Sequence, residues 1–148
     1  MQAARHFGLP VLWRLPGVLS HEAWKEKVVS IGCEYLGAGQ VAAEGVRSYI
    51  DGVLSCLALW GICPGESILP VEGQVVTGDW QLASVAGLFH LHCELGEKIN
   101  QGQLLAEIED LRDTFLERFM APAPGIVLDV RNKAYIREGN WGVLVACQ

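Results

Sequence analysis

Gly87-Leu-Phe-His-Leu-His-Cys-Glu-Leu-Gly-Glu-Lys-Ile-Asn-Gln-Gly102-Gln-Leu-Leu-Ala-Glu-Ile108 is echoed later in the chain by Gly125-Ile-Val-Leu-Asp-Val130 and Ile136-Arg-Glu-Gly139-Asn-Trp-Gly-Val-Leu-Val145. In each half a glycine opens an apolar strand, a second glycine (Gly102 or Gly139) makes a turn, and another apolar strand follows. Met120-Ala-Pro-Ala-Pro-Gly125 separates the halves. Residues from about 68 onward therefore read as short strands and turns with no helix.

The first part of the chain reads differently. Val11-Leu-Trp-Arg-Leu15, bounded by Pro10 and Pro16, predicts a short strand. Ser20 is a candidate N-cap for a helix over residues 21 to 27. Val28-Val-Ser-Ile-Gly-Cys-Glu-Tyr35 is mostly apolar, as a buried strand would be. After the glycine-containing loop Leu36-Gly-Ala-Gly-Gln40, the residues Val46, Tyr49, Ile50, Val53, Leu54, Leu57 and Trp60 recur at helical spacing. Gly45 and Gly52 weaken that helix by up to about 1 kcal/mol each relative to alanine, so burial against a sheet must compensate. Cys63-Pro-Gly65 ends it. Strand, helix, strand, helix is an α/β order, with too few elements to cover a sheet on both faces. We expect two domains: an α/β remnant over 1–66 and a β domain over 67–148.

Composition narrows the partners. The chain has 148 residues, 51% of them apolar and 19% charged, which is a globular composition. A net charge of −6 offers no basic stripe for nucleic acid. The apolar run from Val53 to Cys63 is shorter than the roughly 20 residues that span a bilayer, and Pro10 and Pro16 interrupt any signal-peptide core. Five cysteines without a Cys-x-x-Cys pair read as reduced, buried thiols. The sequence thus reads as soluble and cytoplasmic, without a membrane partner. An exposed apolar face on a truncated sheet would favour a homo-oligomer.

The tandem units resemble the biotinyl/lipoyl half-barrels, in which two such units face each other around a pseudo-two-fold axis. Those carriers hold their cofactor on a lysine at the tip of the central hairpin. Here the tip reads Glu109-Asp-Leu-Arg-Asp-Thr114, and neither Lys98 nor Lys133 falls at it, so no biotin or lipoate is expected.

Taken together, Ala4-Arg-His-Phe-Gly-Leu-Pro10, Ile31-Gly-Cys-Glu34-Tyr-Leu-Gly37-Ala-Gly39, Gly96-Glu-Lys-Ile-Asn-Gln-Gly102-Gln and Ala121-Pro-Ala-Pro-Gly-Ile-Val127 resemble the C-terminal portion of the succinylglutamate desuccinylase/aspartoacylase family. The resemblance implies a carboxypeptidase-like α/β domain followed by a β domain of biotinyl-like shape that caps the active-site mouth. It also implies zinc-dependent hydrolysis of an N-acyl amino acid or related amide. Glu34 matches the family glutamate that takes a proton from the zinc-bound water and delivers it to the leaving amine. A carboxylate at the end of a buried strand is well placed for this, and an apolar surround would raise its pKa toward that of a general base. The plain alternative is a strand-end carboxylate that caps the next helix or pairs with an arginine.

The resemblance also shows what this sequence lacks. The family's zinc-binding His-x-x-Glu and Asp-Leu-His segments lie upstream of the matched stretch, and a hydrolytic zinc site needs three protein ligands and an open position. His90 and His92 lie two apart, next to Cys93 and Glu94, and read as histidines on the solvent face of a strand. No residue is assigned to a metal. Arg5, Arg14 and Arg47 fall on no substrate-binding motif. The isolated chain is therefore expected to be inactive, bearing one catalytic residue, Glu34. The competing reading is a non-enzymatic binding or assembly module on the biotinyl-like fold, with residues 1–63 docking on a partner.

Overall fold

The computed structural model describes residues 2–14, 17–37, 39–68, 70–71 and 74–147. They form two compact units, Met1–Val76 and Thr77–Gln148. The division falls ten residues beyond the expected boundary. Gln74–Val76 belongs with the first unit because it pairs in parallel with Val11–Trp13.

In the first unit, helix α1 (Gln2–Phe7) precedes strand β1 (Val11–Trp13), helix α2 (Leu19–Lys25), helix α3 (Ala43–Leu59) and strand β2 (Gln74–Val76). The expected strand over 11–15 is present at Val11–Trp13, and its end at Leu15 and Pro16 lies outside the described residues. Helix α2 begins two residues early. Val18 is its extended N-cap and makes no side-chain cap bond, so Ser20 is helical rather than capping. Val18 O instead accepts from both His21 N and Glu22 N, and Lys27 leaves the helix at φ 60°.

The larger correction is at 28–35. This segment is not a strand in the chain: no ladder among the described residues includes it. Val28 and Val29 are 57% and 64% exposed. An apolar extended run becomes a buried strand only where a neighbouring strand takes its backbone groups and a layer covers its side chains. β1 and β2 pair only with each other among the described strands.

Helix α3 also turns its faces differently from the periodicity. The buried positions are Gly45, Gly52, Ser55 and Cys56, while Val46, Ile50, Val53, Leu54 and Trp60 are exposed. The two glycines are points of close approach. A Cβ on Gly52 would stand 2.7 Å from Phe7 O, and one on Gly45 would overlap the Tyr35 ring. Ser55, 2% exposed, fastens α3 to its neighbours: its Oγ donates to His6 O at 2.6 Å and accepts from Ile68 N at 2.9 Å. The His6 Nδ1–H donates to Ile68 O at 2.9 Å, since a carbonyl only accepts. Ser55→Ala leaves Ile68 N without that acceptor, so a loss of about 1–3 kcal/mol is expected in urea unfolding of this unit.

The second unit carries the repeat. Strand β3 (Asp79–Leu82) is followed by β4 (Gly87–Leu91), β5 (Lys98–Ile99), β6 (Leu104–Glu109), β7 (Phe115–Met120), β8 (Gly125–Val130), β9 (Tyr135–Ile136) and β10 (Trp141–Cys147). They make two four-stranded sheets of order β3-β10-β8-β5 and β7-β6-β4-β9. The long strands of each half pair antiparallel with each other, β4 with β6 and β8 with β10. Each half's short strand crosses to the other half's sheet: β5 joins β8, and β9 joins β4. The paired glycines now have a reason. A Cβ on Gly87 would lie 2.5 Å from Glu109 O, and one on Gly125 would overlap Ala146 O. Gly102 and Gly139 occupy the same left-handed turn position, at φ 76° and 77°. Both sheets feed one core, which includes Phe89, Leu105, Ile108, Phe119, Val127, Ile136 and Val143. Phe89 and Phe119 meet edge to face, with centroids 5.7 Å apart.

Candidate functional site

Glu34 lies on the extended segment that runs beside α3, one residue before Tyr35, whose ring packs on Gly45. Tyr49, from the next turn of α3, donates its hydroxyl to Cys33 O. These two contacts hold the backbone on both sides of Glu34. Burial pushes the Tyr49 hydroxyl pKa up, and Cys33 and Glu34 nearby add to the rise. Tyr49 thus stays a protonated donor at neutral pH. Burial likewise raises the Cys33 and Cys56 thiols, so they are poor nucleophiles.

The Glu34 carboxylate itself is exposed. The apolar enclosure expected around it is not formed by the described residues: α3 packs on one side of the segment, and no described strand pairs with it. Leu36 (φ 58°) and Gly39 (φ 72°) turn the chain sharply after it. Ala38 lies outside the described residues.

Beside this segment lies an apolar cavity of about 410 Å³, lined by Val29, Ile31, Cys33, Tyr49, Val53 and Trp60 among others. Arg5 and Arg47 do not enter it. Arg5 is used structurally, donating to Val71 O at 3.2 Å, and Arg47 is exposed on α3.

The histidine cluster of the second unit does not converge on a metal. His90 Nε2 is 3.3 Å from Glu109 Oε2, and His92 Nε2 is 3.2 Å from Glu107 Oε2. Arg118 Nε holds the other oxygen of Glu107 at 2.8 Å. The Arg118 hydrogen bond keeps the Glu107 carboxyl below the usual carboxylate range, helped by His92. Cys93 is buried in the core, and burial, with Glu97 adding, pushes its thiol up to about 11. Among the described residues, no group of three or more His, Cys, Asp or Glu side chains is placed to hold a metal ion. The residues present do not fit a zinc site.

The central hairpin tip is built on an aspartate. Asp110 Oδ1 accepts from Arg112 N at 2.7 Å and Thr114 N at 2.9 Å, while Asp113 takes φ 57°. Those backbone bonds hold the Asp110 pKa below its ordinary 3.8. A carboxyl depressed on folding stabilises the fold above its unfolded pKa, and that contribution disappears as pH falls through the folded value. The expected NMR result is an Asp110 carboxyl titration midpoint below 3.8, with loss of the tip's turn structure below that midpoint.

Three comparisons with known proteins bear on this arrangement. No protein-family model and no curated protein matches the sequence. Solved structures do. The apo structure of the ectoine utilization protein EutE (DoeB) from Ruegeria pomeroyi is 21% identical, with a TM-score of 0.84, over 99% of this chain and 49% of that one. A succinylglutamate desuccinylase/aspartoacylase from Rhodobacter sphaeroides is 24% identical, with a TM-score of 0.83, over 98% and 47%. A succinylglutamate desuccinylase from Silicibacter sp. TM1040 is 20% identical, with a TM-score of 0.79, over 98% and 47%.

The chain has the fold of the C-terminal half of the desuccinylase/aspartoacylase structures.

It spans about half the length of each of these three chains. Within this desuccinylase/aspartoacylase fold, the sequence motif around Glu34 picked out the segment beside the cavity. It did not reveal Tyr49 as the donor that fixes Cys33, because a tyrosine at helical spacing reads as one more apolar contact. It also read Gly45 as a weakness of the helix rather than the seat of Tyr35. A tyrosine near a helix start, with a glycine four residues before it, is the signal that was there to use. Among the described residues, no helix is long and apolar enough to cross a membrane.

Proposed function

We propose that this chain is the C-terminal part of an amide hydrolase acting on an N-acyl amino acid or a related amide, with Glu34 as its proton-transfer residue. The observation that carries this reading is a fold match over essentially the whole chain to structures described as desuccinylases or aspartoacylases, with the motif glutamate held beside an apolar cavity. Glu34 would take a proton from the attacking water and pass it to the departing amine, a role that needs a carboxylate within one hydrogen bond of both. Tyr35 and Tyr49 would position it by fixing the backbone on either side.

A hydrolytic zinc ion would polarise the substrate carbonyl and activate water. The ligands for it are not among this chain's described residues, so the chain by itself is proposed to be inactive. The crossed pairing of β5 and β9 supports a biotinyl/lipoyl-like half-barrel for the second unit, one proposed to carry no cofactor, since its tip holds Asp110, Arg112 and Asp113 but no lysine.

One observation favours a second reading. Among the described residues the contiguous apolar core lies in the second unit, as in an assembly module whose first unit folds on a partner. The two readings are separated by assaying release of free amine from N-acyl amino acids by the chain combined with the polypeptide encoded immediately upstream of Met1.

A further inference from the structure

The first unit is built as one side of an interface. Its buried apolar residues among those described are Ala3, Phe7, Leu12, Cys56 and Val76, and the contiguous core lies entirely in the second unit. The apolar side chains that a core would need are present but face outward: Val28 and Val29 on the extended segment, and Val46, Ile50, Val53 and Trp60 on α3. Isolated exposed apolar residues are ordinary, whereas a stripe at i, i+4 and i+7 beside an unpaired extended run is a binding surface. The cavity of about 410 Å³ lies between these two elements. The strands carry the same message. β1 and β2 form a two-stranded parallel sheet, and parallel sheets are stable when both faces are covered.

We infer that the groove between residues 28–33 and α3 is a strand-docking site, and that its occupant is an extended strand of a polypeptide supplying the rest of this fold. The inference rests on the functional reading only for the source of that strand. Its length is consistent: the matched structures contain about as many residues again as this chain covers. The strand's backbone would pair with groups of 29–33 other than Cys33 O, which Tyr49 already holds, and its apolar side chains would pack on Val53, Leu57 and Trp60. A second copy of this chain is the weaker occupant. It would bring another uncovered groove, no further strands for the β1–β2 sheet, and another net charge of −6.

Hydrogen exchange tests this on the chain alone and on the chain co-expressed with the polypeptide encoded immediately upstream of Met1, in frame or as a separate gene. The amides of 29–33 should exchange freely in the chain alone and slow by about 100-fold or more in the complex, as unpaired amides do on joining a ladder; the Val28 amide, which donates to Ala23 O, is left out of the comparison. Val53→Glu should abolish the complex while leaving exchange across the second unit's strands unchanged, which separates lost docking from unfolding. Slow exchange of 29–33 in the monomer would overturn the inference, as would their protection in a homodimer, the absence of any complex, or a complex indifferent to Val53→Glu. A complex that forms but hydrolyses nothing leaves the docking site standing and removes the hydrolase reading.

Discussion

Leu105→Ala is expected to destabilise the Thr77–Gln148 unit by about 2–5 kcal/mol, the range for a fully buried leucine replaced by alanine. Leu105, the second residue of β6, is 0% exposed within a core contributed by both sheets. A bulge shifts the β6–β7 register between Leu104 and Ala106, and both Leu105 and Ala106 are buried there. Collapse onto the vacated space is resisted by the strands on either side, β4 and β7, which are ladder-bonded to β6. Urea unfolding followed by the fluorescence of Trp80 and Trp141 reads this directly, because their rings lie 4.8 Å apart on β3 and β10. A loss below about 1 kcal/mol would mean that this core is not shared by the two sheets as described.

Glu34→Gln is expected to behave in the opposite way. The side chain is exposed, and among the described residues no hydrogen bond or ion pair fastens it, so stability should change by less than about 0.5 kcal/mol. In the completed protein, turnover should fall by about two orders of magnitude or more, because an amide cannot accept the proton that a general base must take. The Michaelis constant should change little, since proton transfer is a demand of the transition state. Near-normal turnover would remove Glu34 from the mechanism and leave it as a surface carboxylate. Tyr49→Phe provides a graded comparison. It removes the hydroxyl that holds Cys33 O but leaves the carboxylate, so it should cost less than Glu34→Gln and lower turnover through misplacement of Glu34.

The second unit was legible because its signals are local. Gly87 and Gly125 mark close backbone crossings, Gly102 and Gly139 mark left-handed turns, and the longer strands between them are short, mostly apolar runs. The exchange of β5 and β9 between sheets was not legible, since two-residue strands such as Lys98–Ile99 carry no periodicity of their own.

In the first unit the pattern was read correctly but the neighbours were not. Val28 to Tyr35 has the composition of a buried strand, and strand formation depends on a partner that no described strand of the chain provides. The α3 periodicity found an apolar stripe and assigned it to the interior. The face that packs is the adjacent one, selected by Gly45 and Gly52 because they admit Tyr35 and Phe7. Glu34 was singled out through its motif, and it is exposed on a segment with which no described strand pairs.

The most direct test of the account is release of free amine from N-acyl amino acids, measured with zinc present, by the chain alone and by the chain joined with its upstream-encoded polypeptide. No turnover by the chain alone and metal-dependent turnover by the joined protein are predicted. Turnover by the chain alone, or none from a well-formed complex, would contradict it.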